Sequence, residues 1–532
     1  MEDKEMKKVY SILISIAVIL SWSACVPLDT PPYDRDSDLS FWQEDPDAAI
    51  SALNTCYVSL TDMFGLVYSD GTTDNAYVKG GQTKAIGNGT YGTSEGYIYS
   101  FWGGTYSGIR DCNELLANID KTSVEDNLKE RYKAEARVLR AWHYYDLYTR
   151  FGGVPYITTP ISIAESRTLP RDSKDHVVGE IVRELEEVID SKVLPVSYTA
   201  DEDLGRITHW TAMAILAKIH LFEGNFTEVR DITAQIMKDS GISLYPSYSG
   251  LFEIANEYCP EIMLSSQYKP VFKEHNIMYN LLPPSMGGYT NIAPLKSLVD
   301  SYIMLDGKAI GDDGSTYDPS NPWANRDPRL AATIVYPGGL GYTLSNGTVV
   351  QPKWDAEDGF NYSSDVTPTG YYIRKWWDNT YRLTLLSGLN PILIRYADIL
   401  LMNAEAHAEL GTLDETVWNA TVKPIRQRAG FTLSGALVFP AGATDLKQIV
   451  RNERRCELAF EGSRRNDIIR WRIAEDVLNG PCHGLYTGAT VGAEKGFVII
   501  ETRQFDAAKH YLWPIPQKER DLNRNLEQNP NW

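Results

Sequence analysis

Between Arg451 and Arg472 the chain reads RNERRCELAFEGSRRNDIIRWR, and this stretch restricts the fold more tightly than any other. Glu453, Glu457 and Glu461 recur every four residues, on one face of a helix, with Arg454 and Arg455 beside them. Leu458, Ala459, Phe460, Ile468, Ile469 and Trp471 supply apolar surface that has to be covered. Gly462 ends or bends the helix. Charges this dense beside such residues must be solvated or paired, because a partly buried ion without a partner costs on the order of several kcal/mol. The pattern therefore reads as an ion-pair lattice that locks helices together, in preference to a catalytic acid pair.

The remaining chain has to supply the partners and the bulk. At 532 residues it can bury a large core, and length alone suggests two or more domains. A formal net charge of -19 argues against nucleic acid or an anionic lipid surface as the main partner, since both would be repelled. Tyr and Trp (32 and 13) outnumber Phe (14), a bias that suits a surface that stacks on ligands, and equally any large secreted protein.

At the amino terminus Met6, Lys7 and Lys8 form a short basic region ahead of the apolar run from Val9 to Trp22, followed by Ser23, Ala24 and Cys25. Fourteen apolar residues are too few to span a bilayer and fit a signal peptide. The three acids within Met1–Glu5 are unusual there, so translation is read as beginning at Met6. Small residues leading into Cys25 resemble a bacterial lipobox, although Trp22 departs from the aliphatic residue usual at that position. Residues 1–24 are thus read as a lipoprotein signal peptide and 25–40, rich in Pro and Asp, as an extended tether. Ordinary cleavage ahead of Cys25, leaving a soluble secreted protein, is the alternative.

From Phe41 the pattern is helical. Ala49, Ile50, Leu53, Tyr57 and Leu60 are spaced for one helix, Thr105 to Ile119 for a second, Leu128 to Phe151 for a long third and Asp172 to Ile189 for a fourth. Arg206 to Ser240 reads as a helix pair turning at Gly224, and Arg395 to Arg428 as another turning at Gly411. Small residues at helix crossings and Gly at the corner are what a tetratricopeptide hairpin requires. Between them, about residues 245–390, helical periodicity gives way to Gly, Pro, Tyr and Trp. The prediction is a mainly α fold: tetratricopeptide-like pairs forming one scaffold over about 41–244 and 391–532, with a loop-rich insert containing short strands. Loops on a rigid scaffold are where binding residues usually sit.

Two of these stretches, and the closing one, carry a family resemblance. Glu453, Arg454, Arg455, Glu457, Leu458, Phe460, Glu461, Gly462, Arg464, Asp467, Arg470 and Trp471 resemble the C-terminal signature of the SusD/RagB family, nutrient-binding outer-membrane lipoproteins of Bacteroidetes. Ala134, Glu135, Arg137, Leu139, Arg140, Ala141, Tyr144, Leu147 and Phe151 to Pro155 resemble its second signature. The end of the chain, from Tyr511 to Trp532, is similar to the family's closing pattern. The resemblance implies a cell-surface lipoprotein, anchored at Cys25 in the outer membrane, that binds an oligosaccharide. It would pass that ligand, without covalent chemistry, to a partner SusC-like TonB-dependent transporter. A peptide ligand is the alternative within the same family; a secreted glycosidase and a scaffold that binds only proteins are the alternatives outside it. Glu135, Arg137 and Arg140 are expected to pair with the charged C-terminal helix.

A glycan offers apolar C–H faces fringed by hydroxyls, so its site wants flat rings flanked by Asp, Asn, Arg or Gln. Three clusters qualify by composition. The first runs from Asp70, Asp74, Asn75 and Tyr77 to Tyr97, Tyr99 and Trp102; the second holds His275, Tyr279, Tyr289 and Asn291; the third holds Trp354, Tyr371, Tyr372, Trp376 and Trp377. Asp74, Asn75, Trp102, Tyr279, Tyr289 and Trp354 are the ligand-binding candidates, while core packing is the competing reading for any single ring. No HExxH or Cys/His spacing announces zinc. Asp306, Asp312, Asp313 and Asp318 carry calcium-type donors without EF-hand spacing, so a solvated turn is favoured over structural calcium, and no cofactor is expected. Cys56, Cys112, Cys259, Cys456 and Cys482 read as buried thiols, with a Cys56–Cys112 bridge as the one pairing considered. No GxSxG, Walker or dinucleotide motif points to an enzyme.

Overall fold

The computed structural model describes Met6 and residues 40–532 apart from 82 and 379–383. Cys25, with all of the signal and tether segments except Met6 and Ser40, lies outside the described residues. The long helices are α1 (Ala48–Val58), α2 (Gly96–Asn118), α3 (Asp126–Phe151), α4 (Lys174–Ser191), α5 (His209–Glu223), α6 (Phe226–Asp239), α7 (Tyr396–Glu409), α8 (Val422–Ala429), α9 (Leu446–Glu457) and α10 (Arg464–Arg470). Each of α1 to α7 packs on the next, and α9 packs on α7, so the stack of helix pairs is continuous in space. The crossing from α6 to α7 is the decisive one, because residues 240–395 are looped out between them.

Local chemistry sets the boundaries. Ser173 opens α4 by accepting the His176 backbone N–H, and Val177, Ile181, Leu185 and Val188 then bury one stripe of it. Each such side chain contributes roughly 1.5–3 kcal/mol when fully covered. Thr208 and Thr211 cap α5 reciprocally, and Gly224 closes it in the left-handed region at φ +78°. Helix α5 is buried on nearly every side, from Trp210 through Leu221, as the central member of the stack. Helix α2 begins at Gly96, well before the apolar periodicity that starts at Thr105, because Gly96, Ser100, Gly103 and Gly104 carry little apolar signal.

Small antiparallel sheets fasten the insert. Strand β1 (Ala76–Val78) pairs with β3 (Ile292–Pro294), Ala76 opposite Pro294. Strand β2 (Ile262–Ser265) pairs with β6 (Ile392–Arg395), bringing together the points where the insert leaves and rejoins the helices. Between them β4 (Ile334–Val335) pairs with β5 (Tyr372–Ile373). One element was not anticipated. Residues 480–503, read as part of the helical scaffold, form a hairpin of β7 (Gly480–Ala489) and β8 (Gly496–Arg503), whose irregular register blurs the period-two pattern.

The charged stretch folds as α9, a break over 458–463 and α10; Phe460 (φ +61°) and Gly462 (φ +75°) make the turn. Its carboxylates meet cations from across the chain. Arg329, Arg395, Arg426, Arg428 and Lys375 interlock with Glu261, Asp327, Glu453, Glu457 and Glu461, all with buried side chains. Beside this lattice of five cations and five carboxylates, Arg454, Arg470 and Lys218 hold Asp398, Asp467 and Glu405. The partners expected from α3 are elsewhere. Glu135 accepts the Tyr57 hydroxyl at 2.6 Å and pairs with Arg131, while Arg137 and Arg140 both engage Glu184 of α4, since their face of α3 packs on α4. Cys56 on α1 and Cys112 on α2 are buried free thiols facing one another.

Candidate functional site

The structure separates the six ring and polar candidates into two groups. Asp74, Asn75 and Trp102 are buried at 7%, 0% and 4% exposure. The Asp74 carboxylate accepts both Arg464 Nε and Nη2 at 2.8 Å and lies 2.9 Å from Arg455; these two guanidiniums outweigh the effect of burial and hold its pKa down to about 2. Asn75 donates to Asp70 at 2.6 Å and accepts Arg455 Nε at 2.8 Å. Trp102 lies mid-helix in α2, edge-on to Phe151 at 4.9 Å. These three face inward and belong to the lattice or the core. Of the Trp354 group, Tyr371, Tyr372, Trp376 and Trp377 are also buried, and Trp354, partly exposed, leans on Tyr372 at 5.5 Å.

Tyr279 and Tyr289 behave differently. They are 38% and 40% exposed, with ring centroids 6.4 Å apart and planes tilted by 36°. The loop between them is closed by a backbone bond from Tyr289 N–H to Tyr279 O at 2.8 Å. Gly288 permits that closure, for a Cβ there would sit 1.9 Å from the Leu282 carbonyl oxygen. The Tyr289 hydroxyl donates to Asn280 Oδ1 at 2.7 Å, which also accepts from Tyr68, and Tyr68 in turn accepts from Asn291. The ring is therefore pinned from below and leaves its flank to solvent.

Neighbouring loops extend the face. Lys79 donates to the backbone oxygens of Tyr289 and of Ser364 (2.7 Å), joining the Tyr289 loop to the one that carries the exposed Tyr362; burial brings its pKa down to about 8. Asp358 accepts the Ser285 backbone N–H at 2.8 Å and that of Lys353 at 2.7 Å, strapping the Trp354 segment to the same loop. Lys79, Asn280, Asp358 and Tyr362 were not among the residues singled out from the sequence. Lys79, Asn280 and Asp358 act through contacts between segments distant in sequence and leave no local signal, and Tyr362 is marked only by its exposure. His275, by contrast, is buried against the Leu389 carbonyl.

Two other features lie apart from this face. An open groove of about 940 Å³ runs between the end of α1, α2 and α3, lined by Phe64, Tyr97, Phe101, Asp146 and Arg150. Asp306, Asp312 and Asp318 cap turns through neighbouring backbone N–H groups, and among the described residues no cluster of three His, Cys, Asp or Glu is placed to hold a metal.

A stack of helix pairs carrying a long, loop-rich insert defines a helical display scaffold. Comparison with known proteins then gives the family. Residues 260–532 match the model of the SusD family, and residues 57–221 match one described as starch-binding associating with outer membrane. The chain belongs to the SusD family. It is 26% identical to SusD-like protein P2 of Formosa agariphila over 98% of this chain and 99% of that one, and 25% identical to that organism's SusD-like protein P25 over 79% and 76%. A crystal structure of a SusD-like carbohydrate binding protein from Bacteroides fragilis, 28% identical, superposes with a TM-score of 0.81, covering 92% of this chain and all of the other. Glycan binding and association with the outer membrane are traits of this family, whose members are binding proteins rather than enzymes.

Proposed function

We propose that this protein captures an oligosaccharide on the Tyr279–Tyr289 face and delivers it to a partner SusC-like TonB-dependent transporter, while a lipid on Cys25 holds it at the cell surface. The observation that carries the reading is the pair of tilted, half-exposed rings, of which Tyr289 is fixed from beneath by its hydroxyl hydrogen bond to Asn280. A ring held this way loses little freedom when a sugar's C–H face stacks on it. Tyr362 and Asn291 flank the rings and supply polar contacts for hydroxyls, Lys79 ties their loops together, and Trp354 backs the neighbouring loop. The ligand is released unchanged, so only weak affinity, micromolar to millimolar in order of magnitude, is required.

The test is calorimetric titration against a glycan panel. Loss of one ring's stacking, roughly 1–1.5 kcal/mol, corresponds to about tenfold weaker binding for Tyr279→Ala or Tyr289→Ala, with Tm unchanged. Gly104→Trp, which fills the groove beside α2 where a side chain meets nothing, is expected to leave binding intact. Binding that survives both tyrosine changes and disappears with Gly104→Trp would move the site to the groove. Hydrolysis of a bound glycan, abolished by replacing one carboxylate, would replace the binding reading with an enzymatic one. Cys25→Ala is expected to release the protein from membranes, and full retention would refute the anchor. Co-purification of the transporter with the tagged protein tests delivery; capture of no such partner removes that step.

A further inference from the structure

Helix α10 presents three arginines in seven residues, and two of them are matched by carboxylates. Arg464 has Asp74 and Arg470 has Glu405 and Asp467. Arg465 has none among the described residues, although it is only 7% exposed. Its Nη1 reaches the Thr149 carbonyl and Asn466 Oδ1 only at 3.4 Å, and its Nη2 has no partner among the described residues. The Trp513 ring lies 4.8 Å from this guanidinium and 5.6 Å from that of Arg150. Asp146, the carboxylate that acts on both, is bound to Arg150 at 2.8 Å. Two cations sharing one anion leave a positive charge inside the protein. A guanidinium does not relieve that by losing its proton under ordinary conditions, so burial without compensation carries a large penalty. Burial and the neighbouring Arg150 depress its pKa to about 9, which still leaves it charged at neutral pH.

A second donor meets it. His510 is 5% exposed, and its Nδ1 accepts the Asp506 backbone N–H at 2.9 Å. That bond places the proton of the neutral ring on Nε2, and Nε2 has no partner among the described residues. Burial, helped by Lys509, holds the pKa of His510 near 4, so the ring is a neutral donor. Arg465 and His510 line one cavity of about 30 Å³, whose other walls include Tyr91 and the apolar Ile469, Leu478 and Phe505. Thr72 and Thr73 also border it, but their hydroxyl protons are donated to Ser69 O and Asp70 O. The space suits one or two waters or one monatomic anion and is too small for phosphate or a sugar.

We propose that this cavity binds a small monovalent anion of the halide class, held by Arg465 Nη2 and His510 Nε2. The anion completes the interior charge balance beneath the C-terminal segment, where Trp513 and His510 pack. Such a site makes stability depend on halide concentration instead of on ionic strength alone.

The experiment uses the full chain. Crystals soaked in sodium bromide are expected to show an anomalous peak within hydrogen-bonding distance of Arg465 and His510. In solution, Tm is expected to rise about 1 °C per tenfold increase in sodium bromide or chloride once the site begins to fill, relative to sodium gluconate at equal ionic strength. Arg465→Met abolishes that halide dependence, and its Tm in gluconate is at least that of the parent because the uncompensated charge is gone. Should Arg465→Met not fold, His510→Phe is read in the same way from the other donor. No anomalous peak, with identical Tm in bromide and gluconate, assigns the cavity to water and overturns the proposal; so does halide dependence that survives both substitutions.

Discussion

Replacing Glu457 by Ala tests whether the buried lattice is a stabilising lock. The side chain is fully buried and bridges three guanidiniums: Arg395 at 2.7 Å, Arg329 at 3.0 Å and Arg428. Each of those keeps another carboxylate, Glu261 or Glu461 for Arg395, Asp327 or Glu453 for Arg329, and Glu261 for Arg428. What changes is the balance, from five against five to five against four, in a region without solvent. Breaking a buried pair from one side costs about 3–5 kcal/mol. An unfolding entropy of about 2.1 cal/mol/K per residue gives about 1 kcal/mol/K for a folded body of this size, so Tm falls by about 3–5 °C in scanning calorimetry. Arg183→Ala, which removes an exposed ion pair with Glu180 and Glu187, serves as the control and shifts Tm by less than about 1 °C. A Glu457→Ala protein that melts with the control refutes the lattice as a stabilising element.

The same group sets an acid limb. Its guanidinium partners hold the Glu457 pKa well below the carboxylate range despite burial, and Glu453, Glu405 and Asp398 are lowered in the same manner. A folded pKa below the unfolded one means that the unfolded chain takes up protons first as pH falls. The stability these groups supply is complete above their unfolded values near 4 and is lost as pH drops towards their folded ones. Glu457→Gln is expected to make Tm less steep below about pH 4.5, where the parent declines, and an unchanged slope would place the acid sensitivity elsewhere.

Further outcomes follow from single contacts. Glu257 accepts the Asn390 N–H at 2.6 Å, yet burial raises its pKa to about 7; the charged form therefore disfavours folding as pH rises from about 4.5 to 7, and Glu257→Gln should raise Tm at pH 8 with the gain vanishing near pH 5. Asp358→Ala removes the strap between Ser285 and Lys353 and should weaken glycan binding several-fold while Tm falls by less than the Glu457→Ala shift, measured by titration and calorimetry together. Gly288→Ala drives a Cβ onto the Leu282 carbonyl, so binding is lost through a displaced Tyr289, visible as a changed loop in a crystal structure.

What could be read in advance tracks the distance over which the cause acts. The four-residue spacing of Glu453, Glu457 and Glu461 declared a charged face at once, and the lattice is there. Its partners did not declare themselves, since Arg329 meets Glu457 across 128 positions and Arg395 across 62. Asp74 and Asn75 resembled hydroxyl-binding groups for the same reason: Arg464 and Arg455, which engage them, lie 390 and 380 positions away. Helix pairs were legible because packing and periodicity are local, down to the left-handed Gly224. Trp376 and Trp377 shared the ring-rich composition of Tyr279 and Tyr289, but composition does not reveal facing. Trp376 turns inward at φ +71° to donate to the Phe460 carbonyl, a choice fixed by the break between α9 and α10.

The division of labour between lattice and face has a consequence for specificity. Tyr289 directs its hydroxyl inward to Asn280, and Lys79 is engaged by backbone oxygens, so the best-placed polar atoms near the rings already have partners. What the two tyrosines then offer a ligand is mostly aromatic surface, which stacks on many pyranose faces with similar energy. On the proposed glycan face, discrimination would then come from the flanking groups, Asn291 and the loop bearing Tyr362, whose position depends on Lys79 and Asp358. Changing those loops should therefore alter which glycan is bound, whereas removing a tyrosine should weaken all glycans alike. A panel in which Tyr289→Ala abolishes one sugar and spares its epimer would show that the ring itself reads identity.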